Sequence, residues 1–427
     1  MMTDLKEIRN EVLGDSYYEV KHPSGLTIYV YPKPGYSSTY AIFGTGYGSI
    51  DNFIKTKGTE ARPIPEGTAH YLEHKLFESE ELDAFELFAK TGANANAYTS
   101  FDRTCFLFSC SGSFKENLEI LLDFVQHPYF TEETVQKEQG IIGQEIRMYQ
   151  DEPSWQVFFN LLRGLYQKHS IKIDIAGTQE SISHNTADLL YDCYNTFYNP
   201  SNMVLAVAGN ASVDEVLEVV EANLMDRPSV DVEREDVKEP KEPASPYIEE
   251  KFSVARPIMA LGFKEDHETP VRSLEEMLIA DVLLDYIAGD TSPLYCRLLD
   301  EGLINHGFGY EYFYGFGYAC VIFEGETKDP QRLSEEIKKE IRRVKKEGLD
   351  PAEFERVRKA NYGKAIMDYN DVDGLANELV AAHLEGFRLF DELEVYRRMT
   401  VADAEKQLAS MMNEKYSSMS VVLPKEE

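Results

Sequence analysis

Residues 138–151 read EQGIIGQEIRMYQD, and residues 358–371 read RKANYGKAIMDYND. At a constant offset of 220, Gly143 matches Gly363, Ile146 matches Ile366, Tyr149 matches Tyr369 and Asp151 matches Asp371. Each stretch has a helical pattern and follows an N-cap signal, Thr131 in the first and Asp350-Pro351 in the second. A strand-like run, CFLFSCSG from Cys105, is echoed by CVIFEGE from Cys320. The same elements in the same order predict a duplicated fold. Two of the positions at which the copies differ are informative: Glu145 becomes Ala365, and Glu138 becomes Arg358.

Outward from the repeat, residues 226–250 (DRPSVDVEREDVKEPKEPASPYIEE) lose apolar periodicity and fill with charges and prolines. They are expected to be a linker between a domain of residues 1–225 and a homologous domain of residues 251–427. In the first domain Leu26, Ile28 and Val30 alternate with polar neighbours, as in a strand. From Thr68 the period turns helical, with Ala69, Leu72, Leu76 and Phe77 on one face. A second helix is expected over Glu81–Lys90, stopped by Thr91-Gly92, and NANAYTS returns to strand. The fold class read from this order is α+β: two homologous halves, each a mostly antiparallel sheet with helices on one side.

The chain has 427 residues, 43 basic and 75 acidic, for a net charge of −32. That balance would repel a phosphate backbone, so no nucleic-acid partner is expected; it also simply keeps a protein soluble. The five cysteines are odd in number and widely spaced, which suits free thiols in a reducing compartment. The start, MMTDLKEIRNEV, lacks a basic segment leading into an apolar one, and no run of about 18 apolar residues occurs. A cytoplasmic protein with no membrane partner is expected.

The stretch GTAHYLEHKLFESEELDAF, residues 67–85, holds His70 and His74 four residues apart. On a helix they share one face and can offer two imidazoles to one ion. Zinc takes such neutral nitrogen ligands readily. Glu73 lies beside that face, able to reach a water without being a ligand. The same histidines could equally be partly buried or surface polar residues. The long helix adds Glu138 and Glu145, seven apart and so on one face. Both are lost in the repeat copy, whose corresponding helix (SLEEMLIADVLLDYI) carries no histidine. Glu145 is the better third ligand, and Glu138 would orient a histidine or the water.

H-x-x-E-H followed 71 residues later (145 − 74) by a glutamate in E-x6-E resembles the pitrilysin/insulinase family of inverted-motif zinc peptidases, in its bacterial processing-peptidase-like subclass. GANANAYTSFDRT, GTQESI and FYNPSNMVLAVAGN resemble further family segments, and the degenerate second half matches the family layout. The resemblance implies one Zn2+ on His70, His74 and Glu145, with Glu73 as proton acceptor and donor and Glu138 supporting the site. It implies a peptide substrate bound along the strand at Asn96, Ala97 and Thr99, inside a clam-shell chamber of which this chain forms half. One family feature is missing. An Arg and a Tyr, seven apart in a segment like R-x-x-x-G-L-x-Y, fall here on Leu298 and Asn305; anchoring on Leu294-Tyr295 instead puts the Arg position at Leu299. A homologous subunit supplying that pair is therefore expected, in a heterodimer rather than a homodimer. The alternatives are a peptide-binding or structural subunit with a vestigial metal site, and a zinc hydrolase of a non-peptide amide.

Overall fold

The computed structural model describes residues 4–80, 83–235, 237–266 and 269–425. The first half of the chain forms β1 (Asp4–Asn10), β2 (Asp15–Lys21), β3 (Thr27–Pro32), β4 (Thr39–Thr45), β5 (Phe53–Ile54), β6 (Arg62–Pro63), β7 (Asn94–Thr99), β8 (Thr104–Cys110) and β9 (Met203–Gly209). β5 and β6 make a short ribbon; the others make one sheet in the order β1-β2-β3-β9-β4-β8-β7. Its described pairings are antiparallel except β3 with β9. β4 and β9, in the middle, bury every residue, while β7 ends the sheet as an edge.

Alternation along β4 explains why both of its faces are covered. Ala41 and Phe43 enter a core shared with Phe106, Phe108, Leu118, Leu121 and Leu122, from β8 and the Phe114–Gln126 helix. Gly44, next along the strand, faces the other way, where a Cβ would stand 3.0 Å from Val380 Cγ1. Val380 belongs to the Val372–Glu385 helix, which comes from the second half of the chain and lies across β9 and β4.

The second half forms β10 (Tyr247–Phe252), β11 (Ile258–Lys264), β12 (Gly309–Gly315), β13 (Tyr318–Glu326) and β14 (Ser417–Pro424), ordered β10-β14-β11-β13-β12. Again one pairing, β10 with β14, is parallel, and the others described are antiparallel. The Leu274–Ala288 helix packs near β12. The Pro153–Leu165 helix, from the first half, packs on β14 and β11, where a Cβ on Gly262 would meet Leu165 Cδ1 at 2.7 Å. The chain is thus α+β with two sheet-bearing halves, and each half lends one helix to the other's sheet. One compact unit comprises residues 1–146, 174–235 and 366–390, and the other residues 147–173, 236–365 and 391–427.

Residues 226–250, expected as a linker, make specific contacts with the unit each part belongs to. Arg234 grips Asp51 through Nε and Nη2, at 2.8 and 2.9 Å, and its Nη2 also donates to Asp102 O at 2.7 Å. In the other unit Glu239 accepts the backbone N–H groups of Gln167, Lys168 and His169. Residues 247–250 already belong to β10, whose alternation of exposed and half-buried residues is that of a strand without a strong apolar signal. The helix expected over Glu81–Lys90 is observed as Ala84–Thr91, capped by Asp83; Glu81 and Leu82 lie outside the described residues. Cys105, Cys110, Cys193 and Cys320 are buried free thiols, and Cys296 is an exposed one. Among the described residues no helix is long and apolar enough to cross a membrane.

Candidate metal centre

The helix Thr68–Leu76 carries the H-x-x-E-H residues, and its start is fixed by two glycines. Gly67 has φ +84°, and a Cβ there would stand 2.3 Å from Ala176 O; a Cβ on Gly177 would stand 2.5 Å from Glu66 O. Only glycines let these two loops pass so closely. Thr68 Oγ1 lies 2.9 Å from Asn185 Oδ1, a further link from the helix start to the following segment.

Burial then turns the helix. Tyr71, Leu72 and Leu76 enter the core, and Tyr71 Oη donates to Val135 O on the Glu132–Gln150 helix. That second helix buries Val135, Ile142 and Ile146 as its apolar stripe, which leaves Glu138 and Glu145 beside the stripe and facing the histidines.

The geometry at the meeting point is compact. One donor atom from each of His70, His74 and Glu145 lies within 4.8 Å of the other two. His70 Nε2 is 3.7 Å and His74 Nε2 is 3.4 Å from Glu145 Oε2. His74 Nδ1 is 3.0 Å from Glu138 Oε1, so its N–H is held there and Nε2 faces Glu145. The donor set of two imidazole nitrogens and one carboxylate fits zinc, and three protein ligands leave one position open.

Burial, reinforced by the neighbouring His74, pushes the His70 pKa down to about 4, so its imidazole is neutral at pH 7. His74 goes the other way: burial would lower it, but the carboxylates of Glu138 and Glu145 raise it to about 10. Burial raises Glu73, against the opposing hydrogen bond from Thr99.

Glu73 sits between the histidines and β7. Thr99 Oγ1 donates to Glu73 Oε2 at 2.6 Å. Asn96 is exposed and its Oδ1 accepts the Ala97 N–H at 2.9 Å. A cleft of about 530 Å³ opens here, lined by Glu73, His74, Phe77, Phe85, Asn96 and Ala97 among others. The structure therefore brings His70, His74, Glu145, Glu138, Glu73 and Thr99 together, with Asn96 and Ala97 along the neighbouring edge strand.

Sequence reasoning missed Tyr71, which ties the two helices, and the Phe77–Phe85 stack, with ring centroids 4.3 Å apart. The pairing of Gly67 with Gly177 was detectable in principle, because each precedes a threonine at the start of a helix.

In the second copy the corresponding positions are structural. Ala365 is buried, and Arg358 bonds Glu355 and Tyr396 O. Leu298 is fully buried, and Asn305 Nδ2 donates to Glu326 at 3.1 Å. Neither nearby residue stands free in their place, since Arg297 pairs with Glu336 and Tyr310 donates to Asp285.

A duplicated α+β chain with H-x-x-E-H in its first half alone and, among the described residues, a convergent His-His-Glu set there is of the pitrilysin-like class. The chain belongs to the insulinase family, peptidase family M16. Residues 59–179 match the family model Insulinase (Peptidase family M16), and residues 185–361 match Peptidase M16 inactive domain. It is 39% identical over 429 residues, covering 99% of this chain and 100% of the relative, to a Bacillus subtilis (strain 168) chain named uncharacterized zinc protease YmfH. A crystal structure of an M16-like peptidase from Alicyclobacillus acidocaldarius is 36% identical, with TM-score 0.91 over 100% of this chain and 99% of that one. Pitrilysin has the same fold at 16% identity, with TM-score 0.78, where this chain covers 47% of its length.

Proposed function

We propose that this chain is a zinc-dependent metalloendopeptidase that cleaves peptides or unfolded segments, and that it is the zinc-bearing subunit of a cytoplasmic heterodimer. The observation that carries the proposal is the convergence of His70, His74 and Glu145 with Glu73 alongside. The names of zinc protease relatives support the metal and the reaction class.

His70, His74 and Glu145 would hold the ion. When bound, zinc supplies Lewis acidity, polarising a carbonyl and making water a better nucleophile at neutral pH. Glu73 takes the proton of the attacking water and delivers it to the leaving amine. Glu138 holds His74 through Nδ1 and fixes the ring's orientation. The free edge of β7 lets an extended peptide add as a strand, beside Asn96 and Ala97. The heterodimer reading rests on Leu298 and Asn305 standing where the family's Arg and Tyr are expected, and on the match of this chain to about half of pitrilysin. Four buried free thiols agree with a reducing compartment.

The test is metal analysis and peptide cleavage by the purified chain, alone and with a homologous chain that carries the Arg and Tyr. The proposal expects about one zinc per chain and cleavage that rises strongly when the partner is added. A wild-type chain without zinc contradicts the peptidase reading. Full activity without any second polypeptide contradicts the heterodimer. Bound zinc with no cleavage even in the complex favours a peptide-binding subunit with a vestigial site.

A further inference from the structure

We infer that Thr99 is a positioning residue for Glu73: its hydroxyl fixes one carboxylate oxygen, Oε2, so that the other, Oε1, is the oxygen that exchanges protons with water and the leaving amine. The inference rests on the peptidase reading above and assigns Thr99 to the proton carrier rather than to the substrate.

The proton inventory carries the argument. A threonine hydroxyl has a single proton, and an ionised carboxylate can only accept. The 2.6 Å contact between Thr99 Oγ1 and Glu73 Oε2 therefore commits the Thr99 proton to Glu73. Thr104 Oγ1 is 3.4 Å from Thr99 Oγ1, but it donates its own proton to Tyr47 O at 2.9 Å. Thr99 consequently has no proton left to offer a peptide carbonyl.

The backbone holds Thr99 firmly enough for this task. Thr99 and Thr104 are the last cross-strand pair of β7 and β8, and the turn between them closes with Ser100 N donating to Arg103 O at 2.8 Å. Arg234 clamps that turn through Asp102 O, and Gly48 lies so close that a Cβ there would stand 2.4 Å from Phe101 O. Thr104 is fully buried beneath it. Glu73, on a helix, and Thr99, at a hairpin end, are thus both on rigid elements, the condition for holding a carboxylate in one orientation.

The experiment compares wild type with Thr99→Val, which keeps the shape and removes the donor, and Thr99→Ser, which keeps the donor. Each is assayed as the active assembly, with zinc content and melting temperature measured alongside. In Thr99→Val, kcat is expected to fall about ten- to a hundredfold, with KM changed less than about threefold and zinc content unchanged. Thr99→Ser is expected to stay within about threefold of wild type in kcat. A Thr99→Val variant whose KM rises while kcat holds would overturn the inference in favour of a substrate contact. Unchanged kinetics, or loss of zinc, would overturn it as well. Crystal structures of the three proteins give a readout independent of activity. The Glu73 carboxylate is expected in one orientation in wild type and Thr99→Ser and turned away in Thr99→Val, and an identical Glu73 in all three contradicts the inference. If wild type never cleaves a peptide, the peptidase reading fails in the assay while the Glu73 orientation still decides the role of Thr99.

Discussion

At the residue scale, the histidines and glutamates were legible because helical spacing is local. His70 and His74 share a face at four residues, as do Glu138 and Glu145 at seven, wherever the helices lie in space. The direction of the Thr99 hydroxyl was not legible, since it depends on how β7 passes the Thr68–Leu76 helix. His383 shows the same limit. Nothing in its neighbours in sequence marks it, yet burial, then the Lys21 charge, lowers its pKa from 6.5 to about 4, against a pull from Glu19. Tyr29 Oη lies 3.3 Å from its Nδ1. Because the folded pKa is depressed, protonation favours the unfolded chain. The stability held by the neutral ring is present above about pH 6.5 and is lost as pH falls toward 4. His383→Gln is expected to lose about 1–2 kcal/mol less than wild type over that interval. Denaturant unfolding at a series of pH values measures this, and identical pH dependence in both proteins would contradict it.

At the element scale, periodicity predicted the strands and helices but not which sheet each helix serves. The Pro153–Leu165 and Val372–Glu385 helices pack on the sheet formed mainly by the opposite half of the chain. Their amphipathic patterns are the same whichever sheet they cover, so no sequence period distinguishes the two arrangements. Small residues at Gly44 and Gly262 are a local trace, each leaving room for the incoming helix. β10 was hidden inside a charged stretch because its outward residues, Tyr247, Glu249 and Lys251, carry no apolar signal. The exchange has a direct consequence. Residues 1–225 expressed alone lack the helix that covers β9 and β4, and are expected not to melt cooperatively. Co-expression with residues 226–427 is expected to restore the cooperative transition, followed by circular dichroism. A fragment of residues 1–225 that melts cooperatively and binds zinc by itself would show that the exchanged helix is dispensable.

At the scale of the whole molecule, the duplication was readable from four identities at one offset, and the loss of Glu138 and Glu145 in the second copy assigned the chemistry to the first. One copy keeps two polar glutamates beside an apolar stripe, and the other turns the same positions into a buried alanine and an arginine that bonds its own unit. Family membership makes zinc-dependent peptide hydrolysis the central claim, and Glu73 is the residue on which it turns. The most direct measurement is kcat for Glu73→Gln against wild type, both in the assembly with the homologous partner and at equal zinc content. The account predicts that zinc is retained and kcat falls by about 10²–10⁴-fold. A Glu73→Gln protein that keeps its zinc and cleaves peptides at the wild-type rate would contradict it.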